Sequence, residues 1–103
     1  MINEEREIIS YISRNYSNSL KKKLIYNGFD KESNKNEDAI FDYAEEVLKL
    51  LDKEYSNIIM NEFLLKNTPK RVDKQWYLEY YSQSTFRRLK KAAIKEFIRC
   101  IKL

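Results

Sequence analysis

Residues 80–97 have the sequence YYSQSTFRRLKKAAIKEF, and the fold prediction begins with this stretch. Apolar residues recur in it every three or four positions, as they do along the buried face of an amphipathic helix. The members of this apolar face, which continues past the stretch, are Phe86, Leu89, Ala93, Ile94, Phe97, Ile98 and Ile101. Ser82 lies where an N-cap is wanted, with a hydroxyl that can accept from the amide near Thr85. The pattern predicts a capped helix that runs from Ser82 nearly to the C-terminus.

The opposite face of this helix is polar at its start and basic farther along. A helix enters the major groove of DNA by its N-terminal end, where Gln can pair with adenine and Arg with guanine. Lysines farther along diverge from the bases and meet phosphates. The residues expected to contact bases are Gln83, Ser84, Arg87 and Arg88. Those expected to hold phosphates are Thr85, Lys91, Lys95, Lys70, Arg71 and Lys74.

The rest of the chain predicts further helices and no strands. One Gly and one Pro in 103 residues are too few for the many tight turns of a strand-rich fold. We predict a first helix over residues 3–27, in which a break near residues 15–18 is left open. A second helix should begin after Asn36, and a third should cover residues 56–66. A short fourth helix beginning at Asp73 would precede the one at Ser82. The expected class is all-α, with about five helices and a C-terminal helix-turn-helix.

Apolar stripes on these helices predict the core. The positions expected to face inward before residue 80 are Ile8, Ile9, Ile12, Tyr16, Leu20, Leu24, Ile40, Tyr43, Ala44, Val47, Leu48, Leu51, Ile58, Ile59 and Phe63, with Leu64 or Leu65 left open. The chain divides into a helical segment over residues 1–28, a polar connection over 29–36 and a helix-turn-helix domain over 37–103. The first segment is a candidate dimerisation element, because so small a core need not use its whole stripe.

Charge is distributed unevenly along the chain. The net charge is +4, but residues 66–103 hold 11 Lys/Arg against 3 Asp/Glu, and residues 1–65 hold 9 against 13. A basic C-terminal third favours a polyanionic partner such as double-stranded DNA.

Several kinds of chemistry are disfavoured by composition. The sequence has no His and one cysteine, so we expect no metal site, no cofactor and no enzyme. The N-terminus has no secretory pattern, and no apolar run is long enough to cross a bilayer. These features predict a cytoplasmic protein without a membrane partner.

The segment from Ser82 to Phe97 resembles the recognition helix in the fourth conserved region of bacterial sigma factors, whose cap and apolar positions it matches. It also resembles the C-terminal segment of small phage transcriptional regulators of the autolysin-regulator type. Together with Trp76, the stretch at residues 80–97 is similar to a family of small uncharacterised mycoplasma proteins. The likeness extends over residues 37–103 but is specific only over 76–97.

The sigma resemblance implies DNA contacts at two positions after the cap and two on the next turn, here Gln83, Ser84, Arg87 and Arg88. The family's Arg-Glu pair after the cap is replaced by Gln83-Ser84, so its promoter preference does not carry over. The connection from Trp76 to Ser82 is about one residue shorter than the family's. A chain of 103 residues has no room for the other sigma regions, so we do not expect a complete sigma factor.

An alternative is a protein-interaction module with the same fold that docks on RNA polymerase or another protein without reading DNA. The acidic second helix would then be the working surface, with Arg87, Arg88 or Lys91 folded back against it.

Other motifs favour structural roles. Residues 21–23, all lysine, could meet phosphate or an anionic membrane, although a solvated helix face is favoured. Glu45 and Glu46 suit a solubility or partner surface. Trp76, Tyr77 and the Tyr80-Tyr81 pair suit core or rim packing rather than base stacking. Cys100 suits packing as a small apolar residue.

Overall fold

The computed structural model describes residues 3–26 and 35–101, and these residues form helices and connecting turns without any strand. The all-α class is therefore confirmed. In order along the chain, the elements are α1 (Asn3–Tyr26), α2 (Lys35–Leu50), α3 (Lys53–Ile59), a π-helical turn (Met60–Leu64), a 3₁₀ turn (Trp76–Glu79) and α4 (Gln83–Ile101). Over these ranges, no helix has the length and apolarity that crossing a bilayer requires.

The boundaries differ from the prediction at several places. α1 continues without a break through residues 15–18, where the side-chain amide of Asn15 donates to the Tyr11 carbonyl at 2.9 Å. α2 and α3 begin at Lys35 and Lys53, upstream of the predicted starts. Of the polar connection, residues 29–34 lie outside the described ranges, and Lys35 is already helical.

The predicted helix from Asp73 is wrong, because the structure has only a single 3₁₀ turn there. The Asp73 carboxylate accepts from the Gln75 amide at 3.2 Å, which closes a local turn instead of capping an α-helix. The amides of Tyr80 and Tyr81 both donate to the Tyr77 carbonyl, and this ends the 3₁₀ turn. Over residues 3–26 and 35–101 the structure thus has four α-helices and two short turns, where about five helices were expected for the chain.

All four α-helices contribute to one core, at whose centre Ile58, Ile59 and Phe97 are fully buried. α1 packs against α2 and the π-helical turn, while α4 packs against α3. The other buried apolar residues are Ile9, Ile12, Tyr16, Leu20, Ala44, Val47, Leu48, Leu64, Phe86, Ala93, Ile94 and Ile98. Leu89, Ile101 and Cys100 pack at the edge of this core, as predicted.

Two residues predicted to face inward are exposed instead. Tyr43 is 45% exposed, with its hydroxyl donating to the Ile101 carbonyl at 2.9 Å, and Leu24 near the end of α1 is 41% exposed. The four apolar side chains of α1 that are buried here are Ile9, Ile12, Tyr16 and Leu20. These side chains are therefore not available to a second copy, and dimerisation through α1 stays a prediction.

A polar seam joins α1 to the start of α2. Glu37 accepts from Lys22 at 2.9 Å and from Asn18 at 2.8 Å, and these hydrogen bonds lower the pKa of its carboxyl. The Ser19 hydroxyl donates to Asp38 at 2.6 Å and lowers the pKa of that carboxyl too. Lys23 also approaches Asp38, at 3.7 Å. A solvated face for the whole lysine run is therefore wrong for Lys22 and incomplete for Lys23.

Farther along the seam, Tyr16 connects α1 to the middle of α2. Its hydroxyl donates to Glu45 at 3.1 Å, and its ring stacks on Phe41 with 4.4 Å between centroids. Burial and the nearby Glu45 carboxylate raise the pKa of Tyr16 above its ordinary value. Three carboxylates of α2, those of Glu37, Asp38 and Glu45, thus hold α1.

Candidate nucleic-acid interface

The N-terminus of α4 is capped as predicted. The Thr85 amide donates to the Ser82 hydroxyl oxygen at 3.3 Å, and the Phe86 amide donates to the Ser82 carbonyl at 2.9 Å. The Ser82 hydroxyl in turn donates to the Thr85 hydroxyl oxygen at 3.0 Å. These bonds satisfy amides that a helix start leaves without partners and fix the direction of the first turn.

The candidate base-contacting residues are exposed on this capped turn. Gln83, Ser84, Arg87 and Arg88 all face solvent, and α1 covers none of them. Of the residues assigned to phosphates, only Thr85 is half-buried. The exposed ones are Lys70, Arg71, Lys74, Lys91 and Lys95. In residues 3–26 and 35–101, no salt bridge involves any of these exposed cations.

An aromatic cluster supports the first turn of α4 from beneath. Phe86 is buried, and the Tyr77 ring stacks parallel to it with 3.8 Å between centroids. Trp76 meets Phe86 edge-on at 5.7 Å. Trp76 and Tyr77 therefore pack at the rim of the core, as predicted, whereas Tyr80 is 68% exposed. Burial, assisted by Glu54, raises the pKa of Tyr81, whose side chain is half-buried.

Glu62 holds the 3₁₀ turn and α4 to the π-helical turn. One of its carboxylate oxygens accepts from the Trp76 indole at 2.9 Å, and the other accepts from the Lys90 ammonium at 2.9 Å. The Lys90 ammonium also lies 5.4 Å from the centre of the Phe63 ring. The sequence analysis missed Glu62, because one acidic residue in a mixed helix looks like an ordinary surface residue.

The segment between α3 and the 3₁₀ turn is held by short-range and long-range hydrogen bonds. The Leu64 carbonyl accepts from the Ser17 hydroxyl of α1 at 3.1 Å. The hydroxyl of Thr68, a buried residue, donates to the Leu65 carbonyl at 2.8 Å. These bonds satisfy carbonyls at the end of the helix and fix where Lys70 and Arg71 leave the core.

A groove of about 1350 Å³ lies between the polar face of α1 and the segment that precedes α4. Arg71, Lys74 and Arg87 of the predicted set line it, whereas Arg88, Lys91 and Lys95 lie on the outer face of α4. Further cations also line the groove: Arg14, Lys66 and Lys90, which the sequence analysis missed, and Lys21, for which it favoured a solvated face over a phosphate contact. Arg14 and Lys21 are seven positions apart on α1, and this helical spacing was the signal that could have found them.

The arrangement expected for a protein-docking module does not occur. Arg87, Arg88 and Lys91 are exposed and make no ion pair with the acidic residues of α2 in the described ranges. The described residues also contain no cluster of acidic or cysteine side chains that could hold a metal ion.

Comparisons of the chain with protein-family models, with curated proteins and with solved structures found no match. The likeness to the fourth sigma region therefore rests on the pattern of residues 76–97 and stays a prediction.

Proposed function

We propose that this protein is a sequence-specific DNA-binding regulator that places the first turn of α4 in the major groove. In this proposal the 3₁₀ turn, the connection through Tyr81 and α4 act as a shortened helix-turn-helix. Base edges are contacted by Gln83, Ser84, Arg87 and Arg88. Because the element before α4 is a single turn, the proposal depends on α4 and not on a long preceding helix.

The observation that carries this proposal is an exposed, capped and well supported helix start whose cations form no salt bridge with any residue that the structure describes. The helix turn that carries base-reading side chains must be held by the rest of the fold, because ordering a mobile segment on binding costs conformational entropy and weakens affinity. The Ser82 cap and the Tyr77–Phe86 stack supply that support directly beneath the turn.

The phosphate contacts then follow from the direction of α4. Each helical residue rises by about 1.5 Å along the axis, so Lys95 lies about 10 Å beyond Arg88. With the first turn in the major groove of DNA, Lys95 would lie outside that groove. Lys91 and Lys95 are therefore assigned to one strand's phosphates. Thr85 and the segment with Lys70, Arg71 and Lys74 are assigned to the phosphates beside the helix start.

Selection of bound duplexes from a random DNA pool tests the proposal, followed by binding curves from 50 to 200 mM salt. If six phosphates are neutralised, affinity should fall about 10³-fold across that range. An unenriched pool, or affinity that hardly changes with salt, would contradict DNA reading by α4.

Two substitutions separate base reading from phosphate binding. Arg88→Ala should lose about 1–3 kcal/mol of discrimination at one base pair, whereas Lys95→Ala should weaken all sequences alike. Lys49→Ala is the matched control, because Lys49 is exposed on α2 and pairs only with Glu46, at 3.2 Å. If Arg88→Ala and Lys95→Ala had the same effect, the assigned roles would be wrong.

A further inference from the structure

We propose that the groove between α1 and the segment before α4 binds one phosphodiester strand of the DNA duplex, with Arg14, Lys21 and Lys66 as its additional contacts. This inference rests on the proposed function and extends its surface to α1, a helix that ends at Tyr26, far earlier in the sequence than the start of α4 at Gln83. It assigns a role to the polar face of α1, which the recognition helix alone leaves without one.

The groove has two walls that come from distant parts of the chain. Ser10, Arg14 and Lys21 line it from α1, and Arg71, Lys74 and Arg87 line it from the opposite side. Lys66 lines it from the end of the π-helical turn. Because the α1–α2 seam and the core hold the helices and turns that form both walls, the positions from which the cations extend are fixed before any ligand arrives.

The charge of the groove is strongly one-sided. Its two carboxylates, Glu62 and Asp73, already accept hydrogen bonds from protein groups. Lys90 pairs with Glu62, but no other cation of the groove takes part in a salt bridge within the part of the chain that the structure describes. A cleft that holds one sign of charge concentrates its field and attracts ions of the opposite sign.

The dimensions favour an extended polyanion over a small one. Sites for small molecules have volumes of about 300–1,000 Å³ and enclose most of the ligand. The groove is larger, at about 1350 Å³, and it is not an enclosed cavity, so its size suits a segment of an extended polyanion better than a small ligand.

Continuity with α4 favours a DNA strand over an acidic protein segment. Arg87 lines the groove, and its neighbour Arg88 lies on the outer face of α4. Successive residues of a helix are about 100° apart around its axis, so one turn faces both surfaces. With α4 in the major groove, a backbone strand that borders the major groove would lie along the α1 groove.

The test compares the double variant Arg14→Ala/Lys21→Ala with a matched double variant, Lys49→Ala/Lys53→Ala. Each pair removes two positive charges, and neither Lys49 nor Lys53 lines the groove. Alanine favours helix, so α1 should keep its fold, which circular dichroism melting verifies. Fluorescence anisotropy then measures binding to a selected duplex and to a scrambled duplex from 50 to 200 mM salt.

We expect the groove variant to bind both duplexes more weakly and its log–log salt slope to fall by about 1.8, or 0.9 for each phosphate contact. The control variant should keep the wild-type slope. Hydroxyl-radical cleavage should show one strand losing protection beside the site in the groove variant, whereas Arg88→Ala should keep that protection.

Failure of this inference differs from failure of the proposed function. If wild-type protein binds the selected duplex and Arg88→Ala loses sequence preference, but the groove variant matches its control, the groove does not bind DNA. If wild-type protein binds neither duplex, the proposed function fails as well. Binding of poly-L-glutamate without binding of either duplex would identify an acidic chain as the occupant and overturn both.

Discussion

Glu62→Ala would remove the carboxylate that joins the π-helical turn to Trp76 and Lys90. Two hydrogen bonds of 2.9 Å would be lost, one from the indole and one from an ammonium group. A hydrogen bond to a charged group contributes about 1.5–3 kcal/mol, and a polar group left buried without a partner costs about 1–3 kcal/mol. The Glu62 side chain is 17% exposed and the Lys90 side chain 36%, so water screens part of the ion pair.

We therefore expect Glu62→Ala to lower the free energy of unfolding by about 2–3 kcal/mol, most of it through the Trp76 hydrogen bond. Glu62→Gln should cost about half as much, because its amide oxygen can still accept from the indole. Urea denaturation followed by circular dichroism measures both. Trp76 is the chain's single tryptophan, so its fluorescence reports separately on the 3₁₀ turn.

Glu96→Ala is the control, because Glu96 pairs with Arg99 at 2.7 Å on the exposed surface of α4. Such surface pairs contribute about 0–1 kcal/mol. If the Glu62→Ala protein lost no more stability than Glu96→Ala and kept the wild-type Trp76 emission, Glu62 would not hold the 3₁₀ turn and α4 to the π-helical turn. A double-mutant cycle with Lys90→Met should then also give no coupling.

Two further predictions concern the cap and the acidic seam. Ser82→Ala should lower stability by about 1 kcal/mol and Ser82→Asp should restore it, as thermal melting can measure, because either Ser or Asp accepts from the Thr85 amide. The lowered pKa values of Glu37 and Asp38 make their contribution to stability complete above the ordinary carboxyl pKa near 4 and remove it as pH falls through the lowered values. Urea midpoints between about pH 6 and 2 should therefore drop less for the double variant Glu37→Gln/Asp38→Asn than for wild type, and equal drops would contradict this.

The parts of the fold that were predictable from sequence are those that local interactions decide. The Ser82 cap and the inward face of α4 needed only the spacing of Phe86, Ala93 and Phe97. The prediction of a helix from Asp73 was wrong because an Asp side chain that can cap a helix can also close a short turn. Long-range contacts decide which of these two local structures forms. Here the Trp76–Glu62 hydrogen bond joins residues 14 positions apart, which no local pattern reveals.

The site shows the same division between local and tertiary information. The exposed residues on the first turn of α4 follow from helical periodicity once the cap is located. The groove required knowledge of which face of α1 turns toward Arg71 and Arg87, and that depends on how Ser17 and Tyr16 dock on the π-helical turn and α2. The predicted burial of Tyr43 was wrong for a related reason. Periodicity gives the direction of an apolar stripe, but it does not say how much of the stripe a neighbouring helix covers.

The packing of α1 against α2 also affects how the net charge of +4 is distributed over the surface. The carboxylates of Glu37, Asp38 and Glu45 face α1, where they accept hydrogen bonds from Lys22, Ser19 and Tyr16. Three of the 13 acidic residues among the first 65 thus lie in the seam between α1 and α2, away from the lysines and arginines of α4. The surface presented by α4 and the groove is therefore more basic than the sequence average, and an anionic ligand approaching from that side meets a field that few local carboxylates oppose.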